Sequence, residues 1–273
     1  MKIFPLLLTV LFLLPVPAVQ AEQYPQRIVS LGPINTENVF LLGAGDRLVA
    51  NTSYCVRPEA AKTKEKIGSV MQFSIEKILS LHPDLILATG LTRPEQVQQL
   101  KAAGIPVVHV PQPGSFAEIC SRFLELGKLL GLEERAEQII AEAQKKVTAV
   151  QRRYASSPPR KVLLQVGSQP IFASIPSSFT NDFIVLSGSI NIAAGQKSGR
   201  TNYEQVIARN PDTIIIAMMG SESGAAADEK RKWEAIPVIN AVKNGQIFII
   251  DPDLACSPSP FPFFFTCCSF CFQ

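Results

Sequence analysis

The side chains that could do chemistry are few and spread thinly. Two histidines, six cysteines and 23 aspartates and glutamates are scattered through 273 residues. No Gly-x-Ser-x-Gly elbow is present, because Gly220–Gly224 reads Gly-Ser-Glu-Ser-Gly. There is no P-loop, and Gly43-Ala44-Gly45-Asp46-Arg47-Leu48 lacks the third glycine of a dinucleotide fingerprint. His82 and His109 are too few for a three-histidine metal centre, and the cysteine spacings match no zinc pattern. No metal site and no cofactor are therefore expected. His82 closes a short helix, where a cation suits the helix dipole. His109 sits in a short apolar strand and reads as a satisfied inner histidine. A carboxylate pair brought together by folding is the one catalytic arrangement that spacing leaves open.

The exception is a matched pair of glutamates. Ser74–Leu87 reads SIEKILSLHPDLIL, and Asn202–Ile215 reads NYEQVIARNPDTII. Ser74 and Asn202 can each cap a helix by accepting from a free backbone N–H. Ile75, Ile78 and Leu79 share the i, i+3, i+4 spacing of Tyr203, Val206 and Ile207, so each helix has one packing face. Pro83 and Pro211 stop the helices, and an apolar strand follows. Glu76 and Glu204 fall in the first turn, off the packing face. For a single glutamate the helix dipole, worth about 0.3–1 kcal/mol, is explanation enough. Two of them on equivalent surfaces would also offer a partner with two-fold symmetry two grips.

Positioning these residues falls to an alternating pattern. Strands are expected at Arg27–Leu31, Arg47–Ser53, Asp84–Thr89 and Pro106–Val110, with helices between them and at Phe116–Leu130. Alternation of this kind implies parallel strands covered by helices. The longest helical signal follows, in EERAEQIIAEAQKKVTAVQRRYA. There Ile140, Ala143, Val147, Val150 and Tyr154 mark one apolar face. Ser156-Ser157-Pro158-Pro159 ends it, and about 23 residues span roughly 35 Å. Its central place suits a rigid connector. Strands then resume at Lys161–Gly167, Thr213–Met218 and Gly245–Asp251, with helices at Phe179–Leu186 and Ala226–Ala235. The organisation expected is a first α/β lobe over 22–131, a connecting helix over 132–157 and a second lobe over 158–258.

The ends read differently. Met1–Ala21 has one charge, Lys2, then the apolar run Ile3–Leu14 and a small-residue cleavage site at Val19-Gln20-Ala21. This is a secretory signal pattern, with cleavage after Ala21, and Glu22 rather than Cys excludes lipid attachment there. Residues 259–273, SPFPFFFTCCSFCFQ, carry no charge and three cysteines, an ending that suggests a frameshift or truncated reading frame. The formal charge of +3 is interspersed, with no basic stripe, which argues against nucleic acid and anionic membranes as partners. After the leader no apolar run is long enough to span a bilayer.

Three segments, RIVSLGPINTENVFLLGAGDRLVANTSYCVRPEAA, IGSVMQFSIEKILSLHPDLILATG and TNYEQVIARNPDTIIIA, flank the long central helix. Together they resemble the class III periplasmic substrate-binding proteins of ABC importers for vitamin B12, ferric siderophores and haem. The similarity runs from about Arg27 to Pro258 and is greatest to the vitamin B12-binding members. It implies two Rossmann-like lobes, each a mainly parallel sheet with flanking helices, joined by one long rigid helix. It implies a monomer of the periplasm, without catalytic residues, that takes a metal chelate into the cleft. Cobalamin or another corrinoid is the expected chelate, with a ferric siderophore or haem as the alternative. Delivery would be to an ABC permease dimer gripped through Glu76 and Glu204, which match the family's docking glutamates.

The expected ligand contacts come from the same resemblance. Tyr54 matches a tyrosine that lies against the corrinoid. Large aromatics of the B12-binding members are replaced here by Val70, Val166 and Ser198, and Phe73 and Phe172, near these gaps, are the substitutes. Arg200 could pair with a carboxylate, phosphate or catecholate of the ligand, and Asp253, in the loop after the last strand, completes the set. Cys256 lies in the same loop, which faces the cleft in this family, and Cys55 follows Tyr54. A Cys55–Cys256 bridge would tie the lobes if the Cα atoms lie within about 7 Å. Cys120 reads as a core thiol. Ser187 stands where B12-binding members hold a second-lobe disulfide cysteine. A different class of function, an extracytoplasmic chelatase or hydrolase on a related scaffold, would require titratable groups converging in the cleft.

Overall fold

The structure is a computed structural model that describes residues 24–218 and 224–260. The leader, residues 219–223 and the Phe/Cys tail from 261 onward lie outside the described residues. Strands β1 (Ile28–Ser30), β2 (Leu48–Asn51), β3 (Glu65–Lys66), β4 (Leu85–Thr89) and β5 (Val107–Val110) form one sheet in the order β3-β2-β1-β4-β5. Every pairing in it is parallel, so each connection must cross over a face. Helices α1 (Pro33–Leu41), α2 (Ile75–Ser80) and α3 (Pro94–Ala102) make three of those crossings, and the short 3-10 helix Glu59–Thr63 lies in the fourth, between β2 and β3. The central strands are covered on both sides. Ile28, Leu85 and Leu87 face one core with Val39, and Val29, Ile86 and Ala88 face the other with Ile78 and Leu100. This is why their sequences read as unbroken apolar runs.

The second lobe holds β6 (Lys161–Ser168), β7 (Ile171–Ala173), β8 (Ile190–Asn191), β9 (Arg200–Thr201), β10 (Thr213–Ile216) and β11 (Ile247–Ile249). Their order is β11-β10-β6-β7-β9, with β8 beside the start of β6. β10 is parallel to both β6 and β11, but β7 runs antiparallel to β6 and β9. Sequence patterning missed β7, β8 and β9, because strands of two or three residues are too short to show a period. Its helices are α6 (Asn181–Val185), α7 (Tyr203–Arg209), α8 (Ala225–Glu234), α9 (Asn240–Lys243) and α10 (Pro252–Ala255).

Between the lobes run α4 (Phe116–Leu129) and α5 (Glu133–Tyr154). α5 is 22 residues long, roughly 33 Å at 1.5 Å per residue. It does not act alone. Phe116, Ile119 and Cys120 from the start of α4 join Ala143, Val147 and Val150 of α5 against β6 and β10. Phe123, Leu126 and Leu130 at the other end of α4 join Ala136 against β1 and β4. The two antiparallel helices therefore straddle both cores, which stiffens the connection beyond what one helix would give.

The repeated phrase does one job in each lobe. Ser74 Oγ accepts from Lys77 N, and Asn202 Oδ1 accepts from Gln205 N, as the capping pattern predicts. His82 and Asn210 then take left-handed backbone geometry, with φ of 46° and 47°, turning the chain out of the helix. The aspartates that follow were not singled out by sequence, yet they pin the lobes' first strands. Asp84 N donates to Arg27 O while its carboxylate accepts from Gln26 N and Arg27 N at 2.7 and 2.8 Å. Asp212 N donates to Lys161 O while its carboxylate accepts from Lys161 N at 2.9 Å.

Candidate functional site

In the first sheet the crossovers after β1 and β4 leave in opposite directions, which makes the β1–β4 boundary a topological switch point. Crevices outside the carboxyl ends of strands at such points are where open α/β sheets bind ligands. Here the crevice is a cavity of about 690 Å³, closed from the other side by the second lobe. Ile34 after β1, Thr89 and Leu91 around the end of β4 and Val110 at the end of β5 form one wall. Val166 of β6, Phe179 and Thr180 before α6, and the α10 segment form the other. Apolar side chains dominate, and Phe179 is the one aromatic among the described residues on the wall.

A charged cluster crosses from lobe to lobe within this cavity. Arg57 donates from Nε and Nη2 to Glu37 Oε1 at 3.1 and 2.8 Å, and its Nη1 lies 3.2 Å from Asp253 Oδ2. Ser257 Oγ donates to Glu37 Oε2 at 2.7 Å. Glu37 and Arg57 belong to the first lobe, Asp253 and Ser257 to the second. On the same side Arg122 Nη2 lies 3.2 Å from Glu118 Oε2. Backbone donation from Gly114 and then the Arg122 guanidinium hold the Glu118 carboxyl below its usual range.

Of the five residues expected to hold ligand, Asp253 lines this cavity. Phe73 does not: it is buried in the first lobe's core with Val29, Ile78 and Ile86, and its backbone forms an isolated bridge to Gly68. Tyr54 is 67% exposed and Phe172 41% exposed. Phe172 sits beside Gly167 and Gly199, with Arg200 as its exposed cross-strand neighbour. Val70 and Val166, at positions where aromatics were expected, are both on the cavity wall, while Ser198 is not. Glu37, Arg57 and Arg122 were overlooked. Arg57 precedes a proline and follows Tyr54-Cys55-Val56, but nothing in its spacing pairs it with residue 37 or residue 253.

The expected Cys55–Cys256 bridge is corrected: Cys55, Cys120 and Cys256 are all free. Cys55 is fully buried beside the Thr52 hydroxyl, 3.1 Å away, whereas Cys256 packs on the second lobe's core. Burial, and then the Asp253 charge, push the Cys256 thiol up to about 11, which disfavours the nucleophilic thiolate at neutral pH. His109, expected inside, is exposed on the edge strand β5. Among the described residues no cluster of three or more His, Cys, Asp or Glu could hold a metal ion.

Glu76 and Glu204 are exposed in the first turns of α2 and α7. Among the described residues neither has an ion-pair partner, although Lys77 beside Glu76 is paired with Glu65.

Two α/β lobes, a stiff helical spine and an apolar cavity between them define a solute-binding protein of the two-lobe type. The chain belongs to the periplasmic binding protein family, whose model matches residues 28–254. It is 35% identical over 208 residues to the vitamin B12-binding protein of Yersinia pestis (strain Pestoides F), covering 75% of this chain and 72% of that one. The structure of the periplasmic vitamin B12-binding protein BtuF of Vibrio cholerae matches with a TM-score of 0.75 at 27% identity, over 90% of this chain and 95% of that one. The periplasmic haem-binding protein RhuT of Roseiflexus sp. RS-1 matches with a TM-score of 0.71 at 26% identity, over 89% and 99%. The family serves ABC permeases and takes small metal chelates as transported ligands, without a cofactor of its own.

Proposed function

We propose that this chain is a periplasmic carrier, released from its leader after Ala21, that holds cobalamin or another corrinoid between its lobes. It delivers the chelate, as a monomer, to an ABC permease dimer that it grips through Glu76 and Glu204. The observation that carries this reading is the apolar interlobe cavity at the β1–β4 switch point, together with two exposed glutamates in equivalent helix turns that have no ion-pair partner among the described residues. Ile34, Val70, Val166 and Phe179 supply apolar enclosure for a wide flat ligand. Tyr54, exposed three residues before the cavity-lining Arg57, is free to lay its ring on the ligand. Phe172 and Arg200, exposed on neighbouring strands, would meet groups projecting beyond the cavity. The similarity to vitamin B12-binding proteins favours a corrinoid.

An enzymatic role lacks support in the cavity. Its carboxylates Glu37 and Asp253 are paired with Arg57, and burial and the Asp253 charge raise its Cys256 thiol to about 11. The test is cobalamin uptake by host cells deleted for this gene and complemented with the chain. Restored uptake is expected. Binding of ligand by the purified protein without restored uptake would refute delivery.

A further inference from the structure

We propose that the Glu37–Arg57–Asp253 cluster fixes the charge class of the ligand: the cavity accepts chelates of no net charge and disfavours polyanionic ones. This rests on the reading of the cavity as the chelate site. A free arginine on a cavity wall would recruit carboxylates, phosphates or catecholates, because its planar donors match their paired oxygens. Arg57 is not free. Glu37 takes its Nε and Nη2, and Asp253 faces its Nη1. Glu37 has only 14% of its side chain exposed and is held from the second lobe by Ser257, so moving it off Arg57 breaks an interlobe hydrogen bond as well as the ion pair. The second arginine of the wall, Arg122, gives Nη2 to Glu118 at 3.2 Å, and its Nε, which has no partner among the described residues, is buried out of a ligand's reach.

Counting the cavity's charged walls and their direct partners, two arginines face three carboxylates. A polyanion would have to displace a carboxylate from Arg57, leaving that carboxylate uncompensated, or lie beside carboxylates that outnumber the arginines. A neutral chelate meets neither cost and finds the apolar surfaces of Ile34, Leu91, Val166 and Phe179. Asp253 is the weaker arm of the clamp, with 54% of its side chain exposed. Replacing it frees one edge of Arg57 while Glu37 keeps the guanidinium in place.

The experiment titrates the full chain with cyanocobalamin, whose formal charges cancel, with haemin, which carries two propionates, and with haemin dimethyl ester. For the wild type, cyanocobalamin is expected to bind at least about tenfold more tightly than haemin, and the ester more tightly than haemin. In Asp253→Asn the preference for cyanocobalamin over haemin should fall about fivefold, the size expected for one half-exposed charge. Thermal melts verify that the variant is folded, and the ester comparison needs no variant. Tighter binding of haemin than of cyanocobalamin, equal binding of haemin and its ester, or an unchanged preference in folded Asp253→Asn would each overturn the charge rule alone. Silence with all three ligands would overturn the chelate-carrier reading and this inference with it.

Discussion

Replacing Glu229 with alanine should cost the second lobe about 3–5 kcal/mol, the range for breaking a buried charged contact from one side. Glu229 is fully buried on α8. Its Oε1 accepts from Gln165 Nε2 at 3.0 Å and from the Tyr203 hydroxyl at 2.7 Å, and its Oε2 accepts from Lys232 Nζ at 3.0 Å. Hydrogen bonds to a charged acceptor contribute about 1.5–3 kcal/mol each, and the alanine variant leaves two donors facing a hole. Tyr203 also packs against Trp233 in a tilted pair, with ring centroids 4.6 Å apart, and Trp233 Nε1 donates to Gln165 Oε1 at 2.8 Å. The network therefore fixes the start of α7, one residue before Glu204. Trp233 is the only tryptophan in the chain, so its fluorescence during urea denaturation reports this lobe directly. Glu229→Gln, which keeps shape and one acceptor, should lose only about 1–2 kcal/mol. A loss under about 1 kcal/mol for Glu229→Ala, with native fluorescence, would refute the claim that this network anchors the docking helix. The acid limb gives a second reading. Burial raises the Glu229 carboxyl, but hydrogen bonds from Gln165, Tyr203 and Lys232, with the Lys232 charge, bring it below its ordinary 4.5. A depressed value means that its stabilisation is complete above about pH 4.5 and is lost as pH falls through the lower folded value. Glu229→Gln should flatten that part of the profile.

Reversing both docking charges, Glu76→Lys with Glu204→Lys, should abolish uptake while leaving ligand affinity within about twofold, since neither residue lines the cavity; uptake that survives would remove the docking role. Asp84→Ala and Asp212→Ala should each destabilise their own lobe by about 1–3 kcal/mol, because each strips acceptors from strand-starting N–H groups; urea melts measure this, and no change would mean that water replaces the carboxylate. Burial pushes Cys120 up to about 11, and Cys256 stands equally high. At pH 8 each is then about one part in a thousand thiolate. Peptide mapping after brief iodoacetamide treatment should find both unlabelled in the native protein and labelled in urea.

The helices and long strands were legible because their periods survive over many residues. The doubled phrase announced its caps and its proline stops, and both are as the spacing requires; of its packing faces, Ile78 and Val206 are buried, but Leu79 is 37% exposed. What escaped was everything set by distance across the fold. The antiparallel β7 and β9 carry no period because they are too short. Asp84 and Asp212 had no role assigned by sequence, and only the structure shows them holding β1 and β6. The cavity reads least well. Glu37, Arg57 and Asp253 are separated by 20 and 196 positions, so no local pattern joins them. Phe73 was read as ligand-facing from its place in the chain, whereas its side chain is part of the first lobe's core.

The central claim is that the interlobe cavity is a chelate site. Calorimetric titration of the purified chain with cyanocobalamin tests it most directly, with haemin and a ferric siderophore run beside it. A saturable signal at one ligand per chain with cyanocobalamin, weakened by Val166→Asp on the cavity wall, is the predicted result. No binding of any of the three by folded protein would contradict the account.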